Sequence, residues 1–212
     1  MILSALSRPD TLLPIIVAYS AIVLLAFPLH EFAHAWMAVR LGDRTPYYQG
    51  RLTLNPRAHL DPVGALMLAV GGLGWAKPVM FVPTNLRNAP SYKAGIVLVA
   101  LAGPAMNLLI AAVAALAYRL GVNAGLPGDI AFVVVVINLS LFFLNLIPLV
   151  PLDGSKVLWG LMPYTWSRTY EQIQQYSLFI LLILIFPIGG TSLLGLIIGP
   201  PVELMRRVLL GF

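Results

Sequence analysis

The chain has 212 residues, 59% of them hydrophobic and 10% charged, with a mean hydropathy of +0.90. Soluble domains carry about 25% charged residues, so this composition excludes a soluble enzyme and a disordered protein, and implies one membrane-embedded helical bundle occupying residues 1–212 as a single domain. The net charge of +5 is scattered through short connecting segments, which argues against nucleic acid as a partner, and the absence of cysteine leaves His, Asp and Glu as the available metal ligands.

Arg8 and Asp10 precede an apolar run longer than a signal-peptide core, without a small-residue cleavage site, so the first run is expected to remain as a span. About 20 apolar residues cross a bilayer, and residues 11–41, 94–118 and 130–152 meet that length. Residues 176–198 do so as well but contain Pro187, Gly189 and Gly190, which leaves one kinked span or two short pieces, and one span with a proline kink is the favoured expectation. The expected fold is an all-α polytopic membrane protein of about four spans. Residues 63–76 are apolar but short and glycine-rich, which suits a re-entrant or interfacial segment. After Gly50, the run Arg51-Leu52-Thr53-Leu54 alternates polar and apolar residues, the pattern of a short strand or β-hairpin-like loop. Residues 201–212 read as a terminal helix that starts after a proline pair, with Glu203 early and Arg206 and Arg207 late.

Within the first apolar run, His30-Glu31-Phe32-Ala33-His34 is an H-E-x-x-H match. Residues four apart share a helix face, so both imidazoles can grip one Zn(II) ion with Glu31 beside it as base. At this chain's His and Glu content such a match arises by chance in roughly one of 1,700 chains. Two merely hydrogen-bonded histidines would leave unexplained a carboxylate in an apolar span, which costs about 2.5–3.5 kcal/mol on insertion scales. A catalytic zinc takes three protein ligands and keeps a position open. The third ligand must come from elsewhere: His59 lies in a loop, whereas Asp153 follows the third long apolar run in Asn145-Leu-Ile-Pro148-Leu-Val-Pro151-Leu-Asp153-Gly154 and is the stronger candidate.

Together the two motifs resemble the site-2 proteases, intramembrane zinc metalloproteases that pair H-E-x-x-H on one span with N-x-x-P-x-P-x-L-D-G on a later one. Ala102-Gly103-Pro104-Ala105-Met106-Asn107 in the middle span, and the runs Gly50-Arg-Leu-Thr-Leu-Asn-Pro56, His59-Leu-Asp61-Pro62 and Gly74-Trp-Ala-Lys-Pro78, are similar to the compact branch of that family, without a PDZ or CBS domain. Val150 stands where members often carry proline. The resemblance implies a zinc held by His30, His34 and Asp153, Glu31 as catalytic base, Asn145 near the substrate backbone, and hydrolysis of a transmembrane protein substrate. Asn107 is a further substrate-contact candidate, its alternative being an interhelical hydrogen bond, which is the expectation for Asn138. Gly50 and Leu52 could hold an unwound substrate by strand addition. His59 and Asp61 are expected to shape their loop, and Lys77 to anchor at the interface. The rival readings are a membrane metallopeptidase acting on soluble or lipidated tails, and a metal-binding transporter or scaffold without turnover.

If His34 and Asp153 meet at one depth near the ends of their spans, those spans run parallel, one crossing separates them, and residues 63–76 do not cross. Residues 40–93 then share one side, and their seven basic residues make nine together with Lys156 and Arg168, against Arg8 and Arg119 opposite. That asymmetry predicts an active site towards the cytoplasm, and the compact architecture favours the plasma membrane of a prokaryote for this multi-pass protein.

Overall fold

The computed structural model describes residues 16–17, 20–71, 74–188 and 190–212. Arg8, Asp10 and residues 11–15 of the first expected span lie outside the described residues, as do Gly72 and Gly189.

A π-helical turn, Ile22–Ala26, runs directly into helix α1 (Phe27–Arg40). Pro28, in the first turn of α1, has no N–H and its ring crowds the carbonyl one turn earlier; the wider turn, closed by Phe27 N–H on the Ile22 carbonyl, accommodates both defects. Three short helices follow, α2 (Thr45–Tyr48), α3 (Pro56–His59) and α4 (Pro62–Gly71). The long helix α5 (Tyr92–Arg119) begins at Ser91, whose hydroxyl accepts the Ala94 N–H at 3.2 Å. It is succeeded by α6 (Gly125–Asn145), α7 (Asp153–Leu161), α8 (Ser167–Gln174), α9 (Ser177–Ile185), the two-residue strands β1 (Pro187–Ile188) and β2 (Thr191–Ser192), and α10 (Leu193–Leu210).

Helix α5 is the centre of the bundle, packing against α1, α6, α7 and α10. Ala111 and Ala115 on α5 meet Val135 and Leu139 on α6 and Leu210 on α10, small side chains on one helix admitting larger ones on its neighbours. A second cluster, Ala38, Leu86 and Val99, ties α1 and the segment before α5 to α5 itself. The short link 120–124 makes α5 and α6 antiparallel. The Asn88 N–H reaches the Leu41 carbonyl at 2.9 Å, so the end of α1 lies beside the start of α5 and these two are antiparallel as well. Helices α1 and α6 therefore run parallel, as the shared depth of His34 and Asp153 requires.

Among the described residues three helices are long and apolar enough to cross a membrane, Ile22–Arg40, Tyr92–Arg119 and Gly125–Asn145. The expected single kinked span at 176–198 is instead divided into α9, a small antiparallel hairpin and α10. Phe186, directly before Pro187, is extended (φ −66°, ψ 128°), the conformation that a following proline imposes. The terminal helix correspondingly starts at Leu193 and carries Pro200 and Pro201 inside it, rather than beginning after them. The third run also stops earlier than expected, at Asn145, because Pro148 and Pro151 remove donors and bias the residues before them away from helix. Asp153 thus opens α7 after a loop instead of ending a span.

The strand or hairpin expected at residues 50–54 is not formed; the segment is turn and bend. The Gly50 and Arg51 N–H groups turn back onto the carbonyls of Tyr47 and Pro46, and side chains tie the segment to its neighbours. Buried Arg51 donates to the carbonyls of Ala58 and Lys77, and His59 Nε2 lies 2.8 Å from the Thr53 carbonyl. Asp61 caps α4 by accepting the N–H groups of Val63 and Gly64 at 2.9 and 2.8 Å. A single bridge joins Leu60 to Ala76.

Candidate metal centre

One turn of α1 separates His30 from His34, and both rings face α5 and the start of α7. Their Nε2 atoms are 3.0 Å apart, and Oδ2 of Asp153 lies 3.2 Å from the first and 3.0 Å from the second. All three residues are buried. Tetrahedral ligands at the zinc distances of about 2.0–2.1 Å stand about 3.3 Å from one another, so this donor set fits zinc in both chemistry and spacing. His34 Nδ1 donates to the Val99 carbonyl at 2.7 Å, which fixes the neutral tautomer whose Nε2 lone pair points at the other two donors.

Asp153 reaches this point because Gly154 follows it. A Cβ on Gly154 would run into the carbonyl oxygens of Leu146 and Ile147, so a side chain there would push α7 off the end of α6. Gln174 braces the same loop, accepting the Val150 N–H at 2.9 Å and donating to the Pro148 carbonyl at 3.1 Å. Asp153 is itself buried, with Oδ2 turned to the two imidazoles. Its other oxygen, Oδ1, is 3.2 Å from Lys156 Nζ one turn along α7.

A cavity of about 250 Å³ opens onto the three donors. Glu31 lines it, with Oε2 accepting the Val79 N–H at 3.0 Å. Asn107 and Asn145 line it as well. Asn145 donates to the Leu141 carbonyl of its own helix at 3.0 Å. Asn107 differs: it is fully buried, and neither its side-chain oxygen nor its nitrogen has a hydrogen-bond partner among the described residues. Asn138 is bonded to the Val134 carbonyl at 2.9 Å, away from the cavity. Gly50 and Leu52 are not among the cavity-lining residues; the backbone beside the donors is Gly74 to Val79. Val79, Lys156 and Gly103 are not assigned to the site from the sequence, although Gly103 stands in the Ala102–Asn107 run and Lys156 among the basic residues counted there. Only Lys156 had a local signal, its i+3 spacing from Asp153; the other two are visible only once α5 and the 74–79 segment are packed on α1.

A sequence profile described as Peptidase family M50 matches residues 120–188, which include the Asn145 to Gly154 run. The chain is 36% identical over 192 residues to “Putative zinc metalloprotease YwhC” of Bacillus subtilis (strain 168), covering 86% of this chain and 85% of that protein. It is 34% identical over 169 residues to “Putative zinc metalloprotease Rip2” of Mycobacterium tuberculosis (strain ATCC 25618 / H37Rv), covering 76% of this chain and 63% of that protein. With the Rip2 protein of Mycolicibacterium smegmatis, which carries the same description, identity is 29% over 186 residues, covering 84% of this chain and 70% of the relative. No solved structure matches. The apolar helices, the zinc-fitting donor set and a relative aligned over most of both chains converge, and the chain belongs to peptidase family M50, the site-2 protease family of zinc-dependent membrane metalloproteases.

Proposed function

We propose that residues 1–212 act as one membrane-embedded zinc endopeptidase that hydrolyses peptide bonds in or near the transmembrane segment of a protein substrate, from the cytoplasmic side of a bacterial plasma membrane. The observation that carries the reading is the meeting of His30, His34 and Asp153 from α1 and α7 beside Glu31, in a cavity lined by residues of all three membrane-length helices found among the described residues.

His30, His34 and Asp153 would hold the zinc through Nε2, Nε2 and Oδ2. A zinc ion so held supplies Lewis acidity, lowering the pKa of water and polarising a scissile carbonyl. Glu31, oriented by the Val79 N–H on one oxygen, accepts the proton of the attacking water and hands it to the departing amine nitrogen. Asn107, with its carboxamide unpartnered, donates to the substrate carbonyl oxygen as charge develops there. Asn145 keeps its oxygen available for a substrate N–H. Gly50 and Leu52 have no part in this scheme. The helix of a substrate must unwind locally before its backbone reaches these groups, since helical carbonyls are already bonded.

The experiment is incubation of the purified protein, reconstituted in lipid, with single-span substrates, with and without a zinc chelator, followed by mass mapping of the products. Chelator-sensitive cuts within or beside the span support the proposal. Cuts confined to soluble tails would favour the tail-directed peptidase, and metal binding or flux with no cleavage the non-enzymatic alternative.

A further inference from the structure

Three residues spaced by four along α5 face the donors in one stripe: Val99, whose carbonyl holds His34 Nδ1, Gly103, and Asn107 in the cavity. Gly103 sits in the middle of a buried helix, where glycine costs about 1 kcal/mol against alanine, so its presence asks for a reason. A Cβ built at position 103 would stand 2.6 Å from Nε2 of His30, 2.6 Å from its Cε1, and nearer still to Nε2 of His34. Unbonded atoms do not approach so closely, carbon pairs resting at about 3.5–4.0 Å; only coordinate bonds of about 2.0–2.1 Å bring a partner this near to an imidazole nitrogen. Beyond its own helix, the three atoms nearest to the Cβ all belong to the two rings.

We infer that Gly103 is a positioning residue of the metal centre, the wall that leaves the space in front of His30 and His34 free for the ion. This rests on the proposed role of the two histidines as ligands. A methyl group there competes with the ion for one volume. His34 cannot step aside, because turning its ring breaks the 2.7 Å bond to Val99. A glycine needed only for close packing of α5 on α1 would instead be sensitive to the methyl whether or not the rings were present.

The test is Gly103→Ala in the full chain, purified in detergent with zinc supplied, reading zinc per chain and thermal midpoint beside wild type. The expected result is a folded protein whose zinc content falls at least tenfold, with Ala105→Gly in the same helix retaining full zinc. A folded Gly103→Ala with wild-type zinc overturns the inference. If Gly103→Ala does not fold, the same substitution is made in the His30→Ala/His34→Ala background. There the inference expects no loss of thermal midpoint, the rings being gone, whereas a loss equal to that in the native background overturns it. Zinc-free wild type, or His30→Ala and His34→Ala variants with full zinc, would instead overturn the ligand assignment beneath it.

Discussion

Asp153 divides its two oxygens between two tasks, Oδ2 facing the imidazoles and Oδ1 facing the Lys156 ammonium at 3.2 Å. Partners that hold a ligand in place typically govern about 10- to 100-fold in metal affinity. Lys156→Met should therefore weaken zinc binding by that factor while leaving the fold intact, measurable by competition with a chromophoric chelator; unchanged affinity would make the contact incidental. Asp43 plays a purely structural part at the far end of α1. It is fully buried, taking the Thr45 N–H at 3.0 Å, the Thr45 hydroxyl at 2.6 Å and the Asn85 amide at 3.3 Å on Oδ1, and the Val82 N–H at 2.6 Å on Oδ2. Burial opposes its ionisation, but these bonds outweigh it and hold the carboxyl below its ordinary value. A carboxyl depressed by folding stabilises above its unfolded pKa of about 3.9 and loses that contribution as pH falls through the lower folded value. The thermal midpoint should accordingly drop below about pH 4 in wild type. Asp43→Asn should be less stable at neutral pH, by about 1–3 kcal/mol, and should show a flatter acid limb; an identical acid limb would assign the loss to other groups.

The stripe Val99, Gly103, Asn107 makes α5 the element on which the site is built, although α1 and α7 supply every proposed ligand. A buried amide without partners is destabilising where it stands, so Asn107→Leu should keep or raise the thermal midpoint and retain zinc. Turnover should fall by about 10^2 to 10^3, the usual effect of removing one donor to a developing oxyanion. Undiminished turnover with raised stability would make Asn107 an interior polar residue without function. The three proposed ligands could be picked out in the sequence because their motifs are local: His30 and His34 share a helix face, and Asp153 stands in a short run with Pro148, Pro151 and Gly154. The sequence could not expose the approach of Gly103 to the imidazoles or the Val79 bond to Glu31, since both depend on which residue of one segment abuts which residue of another. The error at residues 50–54 has a related origin. Alternation there mimics a strand, but Arg51 reaches out to the carbonyls of Ala58 and Lys77 and His59 meets the Thr53 carbonyl, an outcome fixed by tertiary contacts. At 176–198, composition conveys apolarity but not continuity, because Pro187 holds Phe186 extended and ends the helix at Ile185.

Across the whole molecule, the parallel course of α1 and α6 agrees with the arithmetic of crossings drawn from the positions of His34 and Asp153. The charge asymmetry then predicts that the segments between α1 and α5 face the cytoplasm. Because the native chain has no cysteine, Arg57→Cys and Arg87→Cys can each be probed with an impermeant thiol reagent in intact cells; both should be protected until the membrane is opened, and labelling of either from outside would reverse the topology. The central claim is that three side chains hold zinc while a fourth moves the proton. Its most direct measurement is zinc per chain together with turnover of one single-span substrate, on Glu31→Gln and Asp153→Ala prepared side by side with wild type. The account predicts that Glu31→Gln is folded and fully metallated yet slower by about 10^2 to 10^4, and that Asp153→Ala loses zinc and activity together, one of three protein ligands being gone. A metal-free Glu31→Gln, or an Asp153→Ala variant with normal zinc and turnover, would contradict it.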